Sequence, residues 1–400
     1  MSTTAEIRPG VHWLGARHPE LEVFDELFPT HRGTTYNAYL VRGSQKVALI
    51  DTVKGIFTED YLEGLSSLEA PERIDLVVVN HTEPDHTGAL EKLLEINPEL
   101  TVVCTKAGEN FLRQLLNRPF KARVVADGEE IDLGEKTLRF IHAPNLHWPD
   151  TMFTYLPENG VLFSCDAFGA HFCGEGLFND QVGDFSAEFA FYFDTIMRPF
   201  KAKIREAVAK VEHLPITMLC PSHGPVLRRD PLAAIKSYKE WSAAPPENGK
   251  KRVLLVTLSP HGNTRTMAAE IRGGLESQGV EVAEYSLLDA DDAVLRDEIE
   301  RADAFVVGTP TINRDAPPPV WHALSLLSSV APKGKVGAVF GSFGWSGEAV
   351  GQVEERLKGL KFNLAAPGLT YRFRPTAEDR QACRTFGEQV ARALAGEVVP

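Results

Sequence analysis

Asn80-His81-Thr82-Glu83-Pro84-Asp85-His86-Thr87-Gly88 is the stretch that most constrains this chain. It follows directly on the apolar run Ile74 to Val79 and precedes a helical pattern, so its side chains stand on a loop at a strand's end. Two imidazoles and two carboxylates within six positions are costly to bury unpaired, and a bound cation is the simplest compensation.

The same topography recurs three times. His147 lies in Leu146-His147-Trp148-Pro149-Asp150 after a run ending at Ile141, Asp166 directly follows Val161 to Cys165, and His223 lies in Pro221-Ser222-His223-Gly224 after a run ending at Cys220. All these ligands can meet on one edge of a sandwich. Other strands are predicted over Lys46 to Ile50 and Thr101 to Cys104, with helices over Ala89 to Ile96 and Lys201 to His213, which gives sheets covered by helices. His31, His142 and His171 lie near the motifs and are read as packed or supporting residues. His12, His18, His213 and His322 have no motif around them.

The small, polar, proline-containing stretch Ser242 to Lys251 marks a boundary, with domains expected over 1–248 and 249–400. Beyond it the alternation is regular. Strands predicted over Arg252 to Leu258, Val280 to Ser286, Ala304 to Gly308 and Lys335 to Phe340 alternate with helical segments, the pattern of a doubly wound parallel sheet. Three loops follow carboxyl ends of these strands: Ser259-Pro260-His261-Gly262-Asn263-Thr264, then Thr309-Pro310-Thr311-Ile312-Asn313, then Gly341-Ser342-Phe343-Gly344-Trp345-Ser346-Gly347. The first opens a helix, where hydroxyls, amides and the helix dipole converge on a phosphate. In an open sheet of this kind ligands bind where such loops meet, and Phe343 and Trp345 offer flat faces to a ring. The Gly-x-Gly-x-x-Gly fingerprint of a dinucleotide site is absent after the first strand.

A formal net charge of −13 argues against a nucleic-acid or anionic-membrane partner, because either needs a basic face. Met1 to Gly10 lacks the apolar stretch of a secretory signal, and no segment approaches the ~20 apolar residues of a membrane span. The five cysteines, Cys104, Cys165, Cys173, Cys220 and Cys383, form no C-x-x-C pair, so reduced thiols in a cytoplasmic protein are expected and no rubredoxin-type iron site.

The first loop resembles the H-x-[HE]-x-D-H signature of the metallo-β-lactamase superfamily, and the later His, Asp and His stand in that superfamily's order. Glu83 occupies a place where the hydrolases usually carry histidine. A hard oxygen donor there shifts preference from zinc toward iron, and H-x-E-x-D-H is the form found in flavodiiron proteins. The second half resembles flavodoxin, and Gly-Ser-Phe-Gly-Trp-Ser-Gly-Glu is particularly close to the flavodoxin domains of that family. The resemblance covers nearly the whole chain, including Arg32 to Asn37 and Leu49 to Asp51. It implies an α/β chain with an αββα sandwich of metallo-β-lactamase type followed by a flavodoxin-like sheet. It implies one iron on His81, Glu83 and His147, a second on Asp85, His86 and His223, and Asp166 bridging them. FMN is implied on the three loops, and Tyr192 as a hydrogen-bond donor near the irons. The implied activity is reduction of dioxygen to water or of nitric oxide to nitrous oxide, with electrons from a separate rubredoxin or a rubredoxin/flavin reductase. A head-to-tail homodimer or dimer of dimers is implied as well. The rivals are a zinc hydrolase fused to a flavodoxin and a non-enzymatic flavoprotein electron carrier, and both fit Glu83 and the full ligand set less well.

Overall fold

Strand alternation in the first half dictates a layered sandwich. Ile50, Val78, Phe140, Phe163 and Cys220 point into one shared core, while their neighbours Leu49, Val77, Ile141, Leu162 and Leu219 point away from it, as the period of two requires. Both sets are buried, so the inner faces pack on each other and the outer faces take helices. The computed structural model describes residues 4–244, 249–330 and 333–397. It divides into two compact units, residues 1–243 and 244–400. The boundary expected between 248 and 249 borders residues 245–248, which lie outside the described residues.

In the first unit a seven-stranded sheet runs Ala5–Arg8, Val11–Trp13, Tyr39–Arg42, Val47–Ile50, Leu76–Val78, Thr101–Cys104 and Lys121–Val124 in spatial order. A five-stranded sheet runs Glu130–Asp132, Thr137–His142, Met152–Leu156, Val161–Cys165 and Met218–Pro221. Helices Thr58–Leu68, Leu90–Ile96 and Lys106–Leu116 bury Leu65, Leu93 and Leu112 against the outer face of the first sheet. Lys201–Val211 covers the second with Ile204, Ala207, Val208 and Val211, the spacing of one helical face. Pro231–Trp241 adds Ala234, Ile235 and Tyr238 beside it.

The second unit is a parallel sheet in the order Glu281–Ser286, Arg252–Thr257, Ala304–Pro310, Val336–Phe343, with Asn363–Leu364 and Leu369–Arg372 both pairing with Val336–Phe343. In chain order this is 2-1-3-4-5, the doubly wound flavodoxin arrangement, whose switch point lies between the first and third strands. Helices Asn263–Ser277 and Ala377–Leu394 cover one face through Ile271, Leu275, Phe386 and Val390. Asp292–Arg301, Pro318–Leu326 and Glu348–Gly359 cover the other. Two strand ends are corrected by the structure. The ladder continues through Thr309 opposite Gly341 and Pro310 opposite Ser342, so Pro310, Ser342 and Phe343 belong to strands and not to loops. Pro310 ends its strand, the place where a missing amide donor costs least.

Candidate functional site

The loop that opens at Asn80 is pinned before any ligand is reached. Asp51, at the end of Val47–Ile50, accepts the Asn80 amide at 2.7 Å and its side-chain Nδ2 at 3.0 Å, and Thr154 of Met152–Leu156 donates to Asn80 Oδ1 at 2.7 Å. One buried asparagine therefore ties both sheets to the start of the loop. Burial pushes the Asp51 carboxyl up to about 6 against the pull of His86 and the Asn80 hydrogen bonds. Pro84 starts the short helix Pro84–Thr87, which carries Asp85 and His86 inward.

The structure brings all seven predicted ligands together around the Asp166 carboxylate. Its Oδ2 lies 3.7 Å from His81 Nε2 and 3.5 Å from His147 Nε2, and Glu83 Oε2 is 3.1 Å from each of those nitrogens. Its Oδ1 lies 3.1 Å from His86 Nε2 and 3.4 Å from His223 Nε2, and Asp85 approaches these two at 3.4 and 3.3 Å. The cluster is thus two subsites sharing one carboxylate, each offering two imidazoles and a further carboxylate. Behind the ring of His81, Asp150 Oδ2 stands 3.2 Å from Nδ1, and behind His223 the Thr35 carbonyl stands 2.7 Å from Nδ1.

These groups stand at ion-pair distances from one another. Burial depresses His81, but Asp150, Glu83 and Asp166 outweigh it and lift the imidazole to about 10. His86 and His147 are lifted to about 10 and His223 to about 9, in each case by neighbouring carboxylates against burial. Burial pushes the Asp166 and Glu83 carboxyls up, and the surrounding histidines hold both well below the usual carboxylate range. Protons so placed stand where metal charge would stand. Both oxygens of Asp85, Asp166 Oδ1 and His86 Nε2 are buried at ion-pair distance from a neighbour, yet none of them makes an aligned hydrogen bond. Such orphaned atoms are expensive unless a ligand satisfies them, and hard oxygen and nitrogen donors in this mixture fit a pair of iron ions.

Over the cluster lies a cavity of about 180 Å³. Glu83, His147, Asp166 and His223 form its polar floor, and Phe24, Phe28, Ile196 and Phe200 form apolar walls. Tyr192, 1% exposed, also lines it. Burial first and the Asp166 charge second hold its phenol well above the ordinary range, so it keeps its hydrogen. His171 does not join the metal cluster. Its ring packs 4.2 Å from Phe24, 4.8 Å from Tyr192 and 5.6 Å from His223, with Nδ1 3.1 Å from Thr34 Oγ1. His142 bonds the Val125 carbonyl through Nε2, and His31 is exposed. Two residues at the site have roles that the sequence did not assign. Asp150 supports His81 from 69 positions away, and Asp25 stands at the cavity rim, its carboxyl lifted to about 6 by burial and then by Glu83 and Asp85.

In the second unit the three predicted loops converge. Leu258 donates to the Gly308 carbonyl, Thr311 to the Ser342 carbonyl, and Thr264 Oγ1 lies 2.9 Å from Ser342 Oγ in a buried contact. Ser259 Oγ accepts the Arg265 amide at 3.0 Å, which folds the first loop over the start of Asn263–Ser277. The amides of the first helical turn have no carbonyl four residues earlier. Gly262 has φ +80° with open space where a Cβ would stand, so the loop is a cradle with room for a phosphate. Asn313 and Arg314 both have positive φ in a tight turn closed by Ile312 and Asp315. Phe343 packs back on Gly347, whereas Trp345 is 66% exposed with the Arg314 guanidinium 5.5 Å from its ring. Trp345 is therefore the ring available for stacking. Phe373, which the sequence did not single out, lies beside Gly344. Cradle, hydroxyls and free aromatic fit FMN.

Among the described residues no helix is long and apolar enough to cross a membrane. Residues 34–224 match the ODP family beta lactamase, and residues 255–387 match flavodoxin. The type A flavoprotein FprA of Rhodobacter capsulatus is 43% identical over 98% of this chain and 92% of its own length. A protein of Moorella thermoacetica named nitric oxide reductase is 39% identical over 99% of this chain and 100% of its own. The rubredoxin oxygen:oxidoreductase of Desulfovibrio gigas superposes with a TM-score of 0.70 at 29% identity, covering 98% of this chain and 99% of that one. With both domains, the ligand-rich strand ends and this breadth of similarity in hand, the chain belongs to the flavodiiron proteins, the type A flavoproteins, oxidoreductases that carry a di-iron centre and FMN.

Proposed function

We propose that this protein reduces nitric oxide to nitrous oxide, dioxygen to water, or both, with electrons relayed through FMN. The carrying observation is Asp166, whose two oxygens face separate sets of imidazoles under one small cavity. His81, Glu83 and His147 would hold one iron and Asp85, His86 and His223 the other, with one oxygen of Asp166 facing each set. Bound there, paired ferrous ions supply electrons and open coordination positions, and FMN supplies the path by which electrons arrive.

The chain's own residues do the rest. Glu83, Asp85 and Asp166 bring three negative charges against the four positive charges of two ferrous ions, so the pocket would carry a net charge near one. Phe24, Phe28, Ile196 and Phe200 give a small apolar diatomic a dry place to wait, which strengthens every electrostatic contact at the floor. Tyr192 donates a hydrogen bond to the bound substrate. On the flavin side Ser259, His261, Gly262, Asn263 and Thr264 cradle the phosphate. Pro310, Thr311, Ile312 and Asn313 would border the ring, and Trp345 in the loop Gly344 to Gly347 would offer it a stacking face, with Ser342 and Phe343 fixing that loop's start. Two nitric oxides, two electrons and two protons give nitrous oxide and water; dioxygen with four of each gives two waters.

The names of the Moorella and Desulfovibrio relatives support both substrates. A rubredoxin or a rubredoxin/flavin reductase is the proposed donor to a cytoplasmic head-to-tail homodimer or dimer of dimers. The test is anaerobic consumption of nitric oxide and, separately, of dioxygen by the purified protein, with iron and FMN counted on the same sample. Turnover of either gas at about two irons and one FMN per chain supports the assignment. Full loading with neither gas consumed overturns it, and zinc alone with ester hydrolysis replaces it with a hydrolase.

A further inference from the structure

Asp150 is 1% exposed and faces the back of one subsite. Its Oδ2 lies 3.2 Å from His81 Nδ1 and accepts the Thr82 amide at 2.7 Å, while its own carbonyl accepts from Thr105 Oγ1 at 3.0 Å. A carboxylate can only accept, so Asp150 places a hydrogen on His81 Nδ1, the Thr82 amide 3.0 Å from that nitrogen donating to the carboxylate at 2.7 Å, and leaves Nε2, on the side of Glu83 and Asp166, as the nitrogen that would meet a cation. Among the described residues no lysine or arginine pairs with Asp150, and its Oδ1 is buried without a partner, so its charge is not spent elsewhere. Asp150 also follows His147 by three residues. One short segment therefore delivers the second imidazole of the subsite and the carboxylate that backs the first.

The other subsite is supported differently. His223 Nδ1 meets a neutral acceptor, the Thr35 carbonyl, at 2.7 Å. An imidazole backed by a full negative charge is a stronger donor to a metal than one backed by a carbonyl, and it holds its ring orientation more firmly.

We infer that Asp150 is a positioning residue that makes the two metal subsites unequal, so that the one formed by His81, Glu83 and His147 binds its cation more tightly than the one formed by Asp85, His86 and His223. This rests on the di-iron assignment above and deepens it.

The experiment titrates the metal-depleted, FMN-loaded full chain with Co²⁺, following heat and the visible cobalt bands. The wild type takes two ions with stepwise affinities at least about 10-fold apart. Asp150→Asn weakens the tighter of the two by about 10- to 100-fold, the usual cost of losing an outer-sphere carboxylate, and leaves the other within about threefold. Asp150→Glu restores part of the difference. Equal affinities in the wild type, or two constants that fall together or not at all in Asp150→Asn, overturn the inference. The wild-type titration serves alone if the variant does not fold, as judged by circular dichroism and thermal melting of the full chain. A wild type that binds fewer than two ions per chain removes the di-iron assignment itself, which separates the two failures.

Discussion

Five of the seven metal-site side chains, His81, Asp85, His86, Asp166 and His223, are at most 4% exposed, whereas Trp345, Ile312 and Phe373 around the flavin loops are 66%, 46% and 59% exposed. The metal site is built of buried side chains that already grip one another across two sheets. The flavin site is built of strand ends and loop backbone, with its aromatic face open. The first must be satisfied internally before a cofactor comes, because each buried carboxylate would otherwise be an unpaired charge. The second can wait, because water satisfies exposed amides until a ligand replaces it. Damage to one site should therefore leave the other loaded.

The largest effect tests that independence. Asp166→Ala removes the shared carboxylate, so iron is expected to fall to traces and gas turnover to drop more than the 10- to 100-fold typical of a lost supporting partner, with FMN still near one per chain. Metal analysis and flavin absorbance on one sample check this, and joint loss of both cofactors would break the comparison. Glu83→His should change the metal without emptying the site. An added imidazole in place of a hard oxygen favours zinc, so the iron-to-zinc ratio measured after growth with both metals should fall several-fold.

A milder outcome is expected in the second unit. Changing Trp345 together with Phe343 to alanine removes the open ring and the packing behind it, and FMN should bind about 10-fold more weakly, roughly the worth of one stacked aromatic contact. Iron should be unchanged, and fluorescence titration of the flavin-stripped chain reads the difference. Unaltered FMN affinity would take the ring of Trp345 out of the pocket.

The smallest effect concerns Asp25. Its carboxyl, at the exposed rim of the cavity, is lifted to about 6 by partial burial and by Glu83 and Asp85. A carboxyl raised on folding costs stability wherever the unfolded form is ionised. The penalty is absent below about pH 4 and complete above about pH 6. Asp25→Asn should therefore raise the thermal midpoint of the metal-free protein at pH 7 by a few degrees, for about 1 kcal/mol after solvent screening, and leave it unchanged at pH 4. Iron cancels much of the charge on Glu83 and Asp85, so the loaded protein should show less. An equal shift at both pH values would point to packing as the cause.

How legible each part was follows from how local its signal is. His81 to His86 announce themselves within one loop, and His147, Asp166 and His223 each sit beside an apolar run whose end is visible in the sequence. Asp150 belongs to the same short motif as His147, yet its role depends on a ring 69 positions earlier, and no periodicity encodes such a contact. Asp25 lies in Phe24-Asp25-Glu26-Leu27, which reads as an ordinary acidic turn. The extra rungs at Pro310, Ser342 and Phe343 were hidden because glycine, serine and proline are weak strand formers, and only a neighbouring strand in register keeps them extended.

By itself the sequence determined which groups are available and in what order: seven candidate ligands at strand ends, a glutamate where zinc enzymes place histidine, and three small-residue loops after parallel strands. Those are properties of chain neighbours and of the two simple periods of backbone structure. Tertiary structure decided which oxygen of Asp166 faces which histidines, which ring nitrogen is backed by charge, and which aromatic of the flavin loop stays open. These depend on side-chain directions and on distances between residues far apart in the chain, and packing alone sets them.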